Sequence, residues 1–527
     1  MKASTPPGIA RLLALLLALT TFGLTAAVSR SPFERLPHLE DEIAYLYQAR
    51  IFAGGNLVIP TPEPRISYWQ PFVVDHEGRR FGKYPPGWPL LLSVGVLLGQ
   101  PWVVNAFLAT LAVALTYRLG RELFDAETGV VAALLTAISP TFLLLSGSLM
   151  AHTAALWWGA LLAFALLRLE RTRRARWAAL GGLALGMLIN TRPLTALGLA
   201  LPFTLAAGLS LLRGVGRALA GSGSGGLPGG GGAAVVRLGL AFAVAAGVVS
   251  ALTPIYNQAA VGDPLGNLYT LVWEYDRLGF GPCCGRTGHT PEKALRNLRF
   301  DLALWSSDLF GWQMSEAAHG WLQTHTGWWL GQGLSWAWLP VGLAAARRRR
   351  WAWLLAGLFA GLVGVHLLYW IGAQTYSARY YSEAIPALAL LSAAGVTAAA
   401  RRASRLGVYV VLSAMVTASL FGYTPGRLAA LWRFNNVGRH HIEALEALRD
   451  GRPALILVTG EAQRSWRDWG TFMALTSPYL DSEVVAARDH GLEGEREAIV
   501  ERFPERQVLY LLPDGTLQAC EASLSNR

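Results

Sequence analysis

Residues 347–402 read RRRRWAWLLAGLFAGLVGVHLLYWIGAQTYSARYYSEAIPALALLSAAGVTAAARR, and this stretch decides the fold. Its two apolar runs, at 351–371 and 383–400, are each close to the roughly 20 residues that an α-helix needs to cross a bilayer. Arginines crowd both outer ends, and the connection between the runs carries one, Arg379. Such a stretch is a membrane hairpin with its basic ends on one side.

The same pattern extends over the chain. Hydrophobic residues make up 53% of the 527 residues and charged residues 15%, well under the quarter that soluble domains carry, so lipid is the solvent. Further apolar runs fall at 9–29, 101–119, 128–147, 150–168, 177–190, 194–212, 236–255, 328–345 and 406–423, giving about eleven expected spans. The first follows Lys2 and Arg11 like a secretory signal, but the many later runs mark it as an uncleaved helix. The apolar segment 88–99 is too short to span and is expected to be re-entrant, interfacial or a half-span.

With a cytoplasmic N-terminus, the inner connections hold Arg118 and Arg121; Arg171, Arg173, Arg174 and Arg176; Arg213, Arg217 and Arg237; Arg347 to Arg350; and Arg401, Arg402 and Arg405. Every cluster lands on one side, as the positive-inside rule requires. The net charge of +11 is therefore a topology signal, and no nucleic-acid partner is expected. The expected location is a bacterial-type inner or plasma membrane. Loops 30–87, 256–327 and 372–382, and the tail, fall on the extracytoplasmic side.

The inner stretch 221–232 is glycine-rich and lacks the Lys-Ser/Thr of a phosphate loop, so it reads as a connector. The three cysteines, Cys283, Cys284 and Cys520, form neither a disulfide framework nor a zinc-ligand spacing. After Tyr423 charges rise and apolar runs shorten to strand length at 454–458, 483–487 and 507–512, with helical stretches near 440–448 and 493–501. The expected organisation is a membrane domain, 1–424, and a small extracytoplasmic α/β domain, 425–527, that caps the site or contacts the acceptor.

Long loops in compact folds usually carry function. In the first, LEDEIAYLYQARIF places Asp41 and Glu42 in the first turn of a helix, where free N–H groups favour carboxylates. Ile43, Leu46, Tyr47 and Ile51 form an apolar stripe expected to rest on the membrane surface. Lys83 precedes the rigid Pro85-Pro86 turn, near where a lipid phosphate lies. Arg192 and Arg379 stand at outer turns against the topology bias, so each is either a headgroup anchor or a phosphate ligand. His152 opens a span on that side as a solvated helix start or a substrate contact. His289, His319 and His325 lack metal-ligand spacing, so no metal site or cofactor is expected. The loop from Tyr269 to Trp329 is expected to form a second wall, with the stretch after Pro291 offering aromatic faces.

The acidic pair after the first span, Lys83-Tyr84-Pro85-Pro86, Thr191-Arg192-Pro193 and Ala378-Arg379-Tyr380-Tyr381 together resemble the GT-C glycosyltransferases. The closest likeness is to the bacterial branch related to protein O-mannosyltransferases and lipid A aminoarabinose transferases. The resemblance covers most of 1–424 and implies transfer of a sugar from a polyprenyl-phosphate donor to a lipid, glycan or protein acceptor on the outer face. It implies Asp41 as the catalytic carboxylate with Glu42 as its partner, and Lys83, Arg379 and, more loosely, Arg192 as donor-phosphate ligands. Tyr84, His152 and Tyr380 are candidate substrate contacts. The rival class is a lipid or glycan flippase, which would carry ionisable residues within its spans; a non-catalytic scaffold would make the first loop dispensable.

Overall fold

The computed structural model describes residues 7–219, 232–373 and 375–519. Lys2, Cys520 and 221–231 of the glycine-rich stretch lie outside the described residues. Among the described residues, six helices are long and apolar enough to cross a membrane: Gly8–Arg30, Trp102–Leu123, His152–Thr172, Ala233–Val261, Arg379–Arg402 and Arg405–Ala429. A seventh candidate is a pair, Ala126–Ile138 and Pro140–Gly147, bent by 57°. Pro140 has no N–H to continue the ladder and disfavours helical backbone at Ser139, whose side chain instead caps the next helix through the Phe142 N–H.

The spans expected at 177–190, 194–212 and 351–371 coincide with the shorter helices Ala175–Thr191, Pro193–Leu209 and Arg350–His366. The one expected at 328–345 differs more. Only Trp338–Ala346 is helical there, because the preceding residues pair backbone to backbone with the segment 306–314. Gly333 makes that approach possible, since a Cβ on it would fall 1.8 Å from the Ser306 carbonyl carbon. The segment expected at 88–99 is an 11-residue helix, Gly87–Leu97, with Trp88 fully buried at its start.

One end of the bundle is basic. Arg168 and Arg171 pair with Glu122, Arg350 with Glu170, Arg401 with Asp125 and Arg405 with Glu127, at 2.6 to 3.3 Å. Arg349 donates to the Leu123 carbonyl. These contacts join four of the five arginine-bearing connections, so those four are physically together at one end.

At the other end the first long loop forms a small antiparallel sheet. It comprises β1 (Ile59–Pro60), β2 (Val73–His76) and β3 (Arg79–Gly82), in the order β1-β3-β2. The two-residue β2–β3 turn, Glu77-Gly78, has φ of +48° and +75°, the primed geometry that suits strand twist. The chain's last third carries a second sheet of β4 (Ala454–Thr459), β5 (Val484–Asp489), β6 (Gln507–Leu511) and β7 (Leu517–Ala519), ordered β5-β4-β6-β7, with β4 parallel to both neighbours. A parallel strand covered on both faces reads as a continuous apolar run, as Ala454–Thr459 does.

The first loop supplies part of that cover. Ile43 packs with Ile456 and Val458 on one face, and Tyr68 packs with Leu455 and Leu457 on the other. Ser67 donates to Glu495 at 2.7 Å, and Arg50 to the Thr476 carbonyl at 3.0 Å. The helix Glu40–Ala53 is consequently buried on nearly all sides. It does not rest on a membrane surface as its apolar stripe suggests, because its polar residues are bonded inside: Gln48 accepts from the Gly82 N–H and donates to the Leu57 carbonyl.

Helices in lipid associate through close packing of small residues. Gly198 and Gly361 bring Pro193–Leu209 against Arg350–His366 so tightly that a Cβ on Gly361 would lie 2.1 Å from the Gly198 carbonyl oxygen. Gly361→Val is expected to destabilise the bundle by about 1–3 kcal/mol. The expected readout is a lower thermal unfolding midpoint in detergent, and an unchanged midpoint would contradict this packing.

Candidate active site

Asp41, Lys83, Tyr84, His152, Arg192, Arg379 and Tyr380 line one cavity of about 420 Å³. The cavity lies at the end of the bundle opposite the arginine pairs. His152 begins its helix, Thr191 and His366 end theirs, and Arg379 precedes Ile385–Arg402, while the other ends of these helices carry the basic connections.

Three local devices position the charged groups. Asp41 occupies the first turn of Glu40–Ala53, two residues before Ile43, which packs on β4. Lys83 follows β3, where its N–H donates to the Phe72 carbonyl at 3.0 Å. Gly82 beside it is clamped by Gln48 and by the Tyr256 hydroxyl, which donates to the Gly82 carbonyl at 2.6 Å. Arg379 begins a 3-10 turn whose backbone N–H is held by the Ala373 and Ser377 carbonyls.

Each cation meets a carboxylate. Arg379 Nη1 lies 3.4 Å from Asp41 Oδ2, Lys83 Nζ 3.4 Å from Asp276 Oδ2, and Arg192 Nε 3.2 Å from Glu383 Oε1. The Tyr84 hydroxyl donates to Asp41 Oδ1 in a short hydrogen bond. Burial by itself would push the Asp41 carboxyl up, but Arg379, the Tyr84 hydroxyl, Lys83 and Arg192 together hold it below the usual aspartate range. It is therefore an anion at neutral pH. Burial likewise pulls the Lys83 ammonium down, against Asp276, Asp41 and Glu40. The Tyr380 ring centre is 5.7 Å from the Arg192 guanidinium and 5.4 Å from that of Arg379, and the ring stacks on His366.

His152 is not a solvated helix start. It is 1% exposed, and neither ring nitrogen has a hydrogen-bond partner among the described residues. A buried polar group left open at a cavity wall is one that a ligand can satisfy.

Glu42 is fully buried and does not line the cavity. Its carboxylate accepts from the His38 N–H at 2.6 Å and the Leu149 N–H at 3.1 Å, tying the start of Glu40–Ala53 to the turn that leads into His152. It thus fixes Asp41 and His152 relative to each other.

Several lining residues were not singled out in the sequence: Glu40, Asp276, His366 and Tyr369. Asp276 and Tyr369 lie among aromatic residues, where a lone acid or hydroxyl is easily passed over. Tyr269 and Trp273 of the Trp-rich loop do form a wall, but the helix Pro291–Asp308 contributes nothing to the cavity. Its Trp305 and Asp308 turn into the helical core, where Arg427 pairs with Asp308 at 2.9 Å. Among the described residues no group of three His, Cys, Asp or Glu is arranged to hold a metal. Cys283 and Cys284 are free thiols with sulfurs 3.2 Å apart.

The architecture as a whole matches solved structures. The apo form of ArnT from Cupriavidus metallidurans superposes with a TM-score of 0.53 at 14% identity, over 95% of this chain and 92% of that one. The undecaprenyl phosphate-bound form of the same protein gives 0.52 at 14%, over 95% and 93%. By fold, this chain is similar to ArnT. Residues 84–215 also match the family described as dolichyl-phosphate-mannose-protein mannosyltransferase. The apo oligosaccharyltransferase of Archaeoglobus fulgidus aligns at 15% identity over 93% of this chain and 69% of its own, with a TM-score of 0.45. No curated protein matches the sequence.

Burial raises the Glu42 carboxyl to about 7, against the His38 and Leu149 N–H groups that favour its anion. A carboxyl raised on folding stabilises the fold fully below its unfolded value, near 4.5, and the contribution is lost as pH rises through about 7. The wild type is expected to lose on the order of 3 kcal/mol over that window through this group. Thermal midpoints measured from pH 4.5 to 8 should fall more steeply for the wild type than for Glu42→Gln; parallel curves would contradict the shift.

Proposed function

We propose that this protein is a membrane glycosyltransferase that takes a sugar from a polyprenyl-phosphate donor and places it on an acceptor hydroxyl at the extracytoplasmic face. The observation that carries the reading is the convergence of the anionic Asp41 carboxylate with Lys83, Arg192 and Arg379 in a single cavity remote from the basic end of the bundle. On the positive-inside rule the basic end is cytoplasmic, which turns the cavity and the sheet of β4 to β7 outward.

The chemistry divides between the two kinds of charge. The acceptor oxygen attacks the anomeric carbon and the bond from that carbon to the phosphate oxygen breaks. As the new C–O bond forms, the acceptor hydroxyl becomes acidic and its proton passes to Asp41, already ionised at neutral pH. The leaving polyprenyl phosphate gains a second negative charge. Lys83 and Arg379, with Arg192 beside Tyr380, stabilise that charge more than the single charge of the donor, which is what accelerates the step. A single displacement inverts the anomeric carbon and requires one carboxylate, which leaves Glu42 to position Asp41. His152, Tyr84 and Tyr380 fit as contacts to the sugar and its phosphate. The undecaprenyl phosphate held by the ArnT neighbour supports a lipid phosphate as the ligand class, and the acceptor is a lipid, glycan or protein.

Membranes containing the protein are expected to move label from a polyprenyl-phosphate sugar to an acceptor, and Asp41→Asn, compared at equal amounts of folded protein, to lower the rate by about 100-fold or more. Label transfer at the wild-type rate by a folded Asp41→Asn protein would remove Asp41 as the base.

A further inference from the structure

The Lys83 ammonium sits in a box of four aromatic rings. It lies 3.8 Å from the centre of Phe72, 4.7 Å from Trp273, and 5.2 Å from both Tyr84 and Tyr269. Ring faces attract a cation but scarcely direct it, because the attraction varies little as the charge slides over the ring. Direction comes from Asp276. Its Oδ2 accepts from Lys83 Nζ at 3.4 Å, while Oδ1 accepts from the Tyr369 hydroxyl and the Trp370 indole N–H, each at 3.2 Å. Asp276 is itself buried, 5% exposed. With both oxygens bonded it is held in place by a segment nearly a hundred residues away, just past the helix Arg350–His366. The Lys83 ammonium has three N–H donors, and the one hydrogen bond to Asp276 leaves the others for a ligand in the cavity.

We propose that Asp276 is a positioning residue: it aims the Lys83 ammonium into the cavity, and Tyr369 and Trp370 fix Asp276 in turn. The inference rests on the reading of the cavity as a phosphate-linked sugar site. It adds a carboxylate that acts through Lys83, from a loop with no motif. The groups facing Lys83 are Asp276 from that loop, Asp41 and Glu40 from Glu40–Ala53, and the hydroxyls of Tyr84 and Tyr269. Burial works against the ammonium, and Asp276 is the closest of the groups that oppose it. Without it the charge is held only by the more distant Asp41 and Glu40.

The test exploits a scarcity of lysine, since the whole chain contains Lys2, Lys83 and Lys293 and no others. In full-length protein carrying 15Nζ-lysine, three side-chain signals report three titrations. Asp276→Asn is expected to lower the Lys83 midpoint by about one unit or more and to weaken binding of farnesyl phosphate at pH 8 about tenfold. Asp276→Glu, which keeps the charge, is expected to recover most of both effects, which separates positioning from loss of fold. An unchanged Lys83 midpoint in Asp276→Asn would overturn the inference. Failure of the wild type to bind farnesyl phosphate would instead overturn the phosphate reading, and the titration would still decide the role of Asp276.

Discussion

Buried charge pairing organises the cavity end of this protein. Arg379 with Asp41, Lys83 with Asp276 and Arg192 with Glu383 draw together the first loop, the loop before Pro291, the turn after Thr191 and the start of Ile385–Arg402. Buried pairs add little net stability, because desolvating two charges costs about what their attraction returns. Losing one partner is another matter, since it strands a charge at a cost of about 3–5 kcal/mol. The pairs therefore act mainly as registration marks. They specify which segments meet and how, and they leave cations in place around an open cavity.

The first loop registers a second part of the structure as well. Ile43 and Tyr68 pack on opposite faces of the β4 to β7 sheet, so the helix that presents Asp41 is gripped from behind by the last third of the chain. Glu42 grips the same helix from the other side through the Leu149 N–H. For the base proposed for Asp41 such support matters, because small misplacements are costly in rate.

Much of this was legible in the residues. The arginine connections marked one end of the bundle, where most of them meet in ion pairs. Apolar runs at 454–458, 483–487 and 507–512 coincide with β4, β5 and β6. Asp41, Lys83, Arg192 and Arg379 stood out because charge is scarce in this chain and each sits at a turn. Other features were hidden for physical reasons. The apolar run at 328–345 is half loop, because Gly331 and Gly333 spend it on backbone pairing that hydropathy does not register. The stripe of Ile43, Leu46, Tyr47 and Ile51 describes a buried helix as well as a surface one, and the deciding neighbours lie over 400 residues away. Asp276 and Glu383 could not be assigned from sequence because their meaning is a pairing across the fold.

The central claim is that the Asp41 cavity receives a lipid-linked phosphate, and direct observation of the ligand tests it best. A cryo-EM structure of the protein in nanodiscs with undecaprenyl phosphate is predicted to place the phosphate within hydrogen-bond reach of Lys83 and Arg379, beside Asp41. Phosphate density confined to the lipid-facing surface, with the cavity empty, would contradict the account.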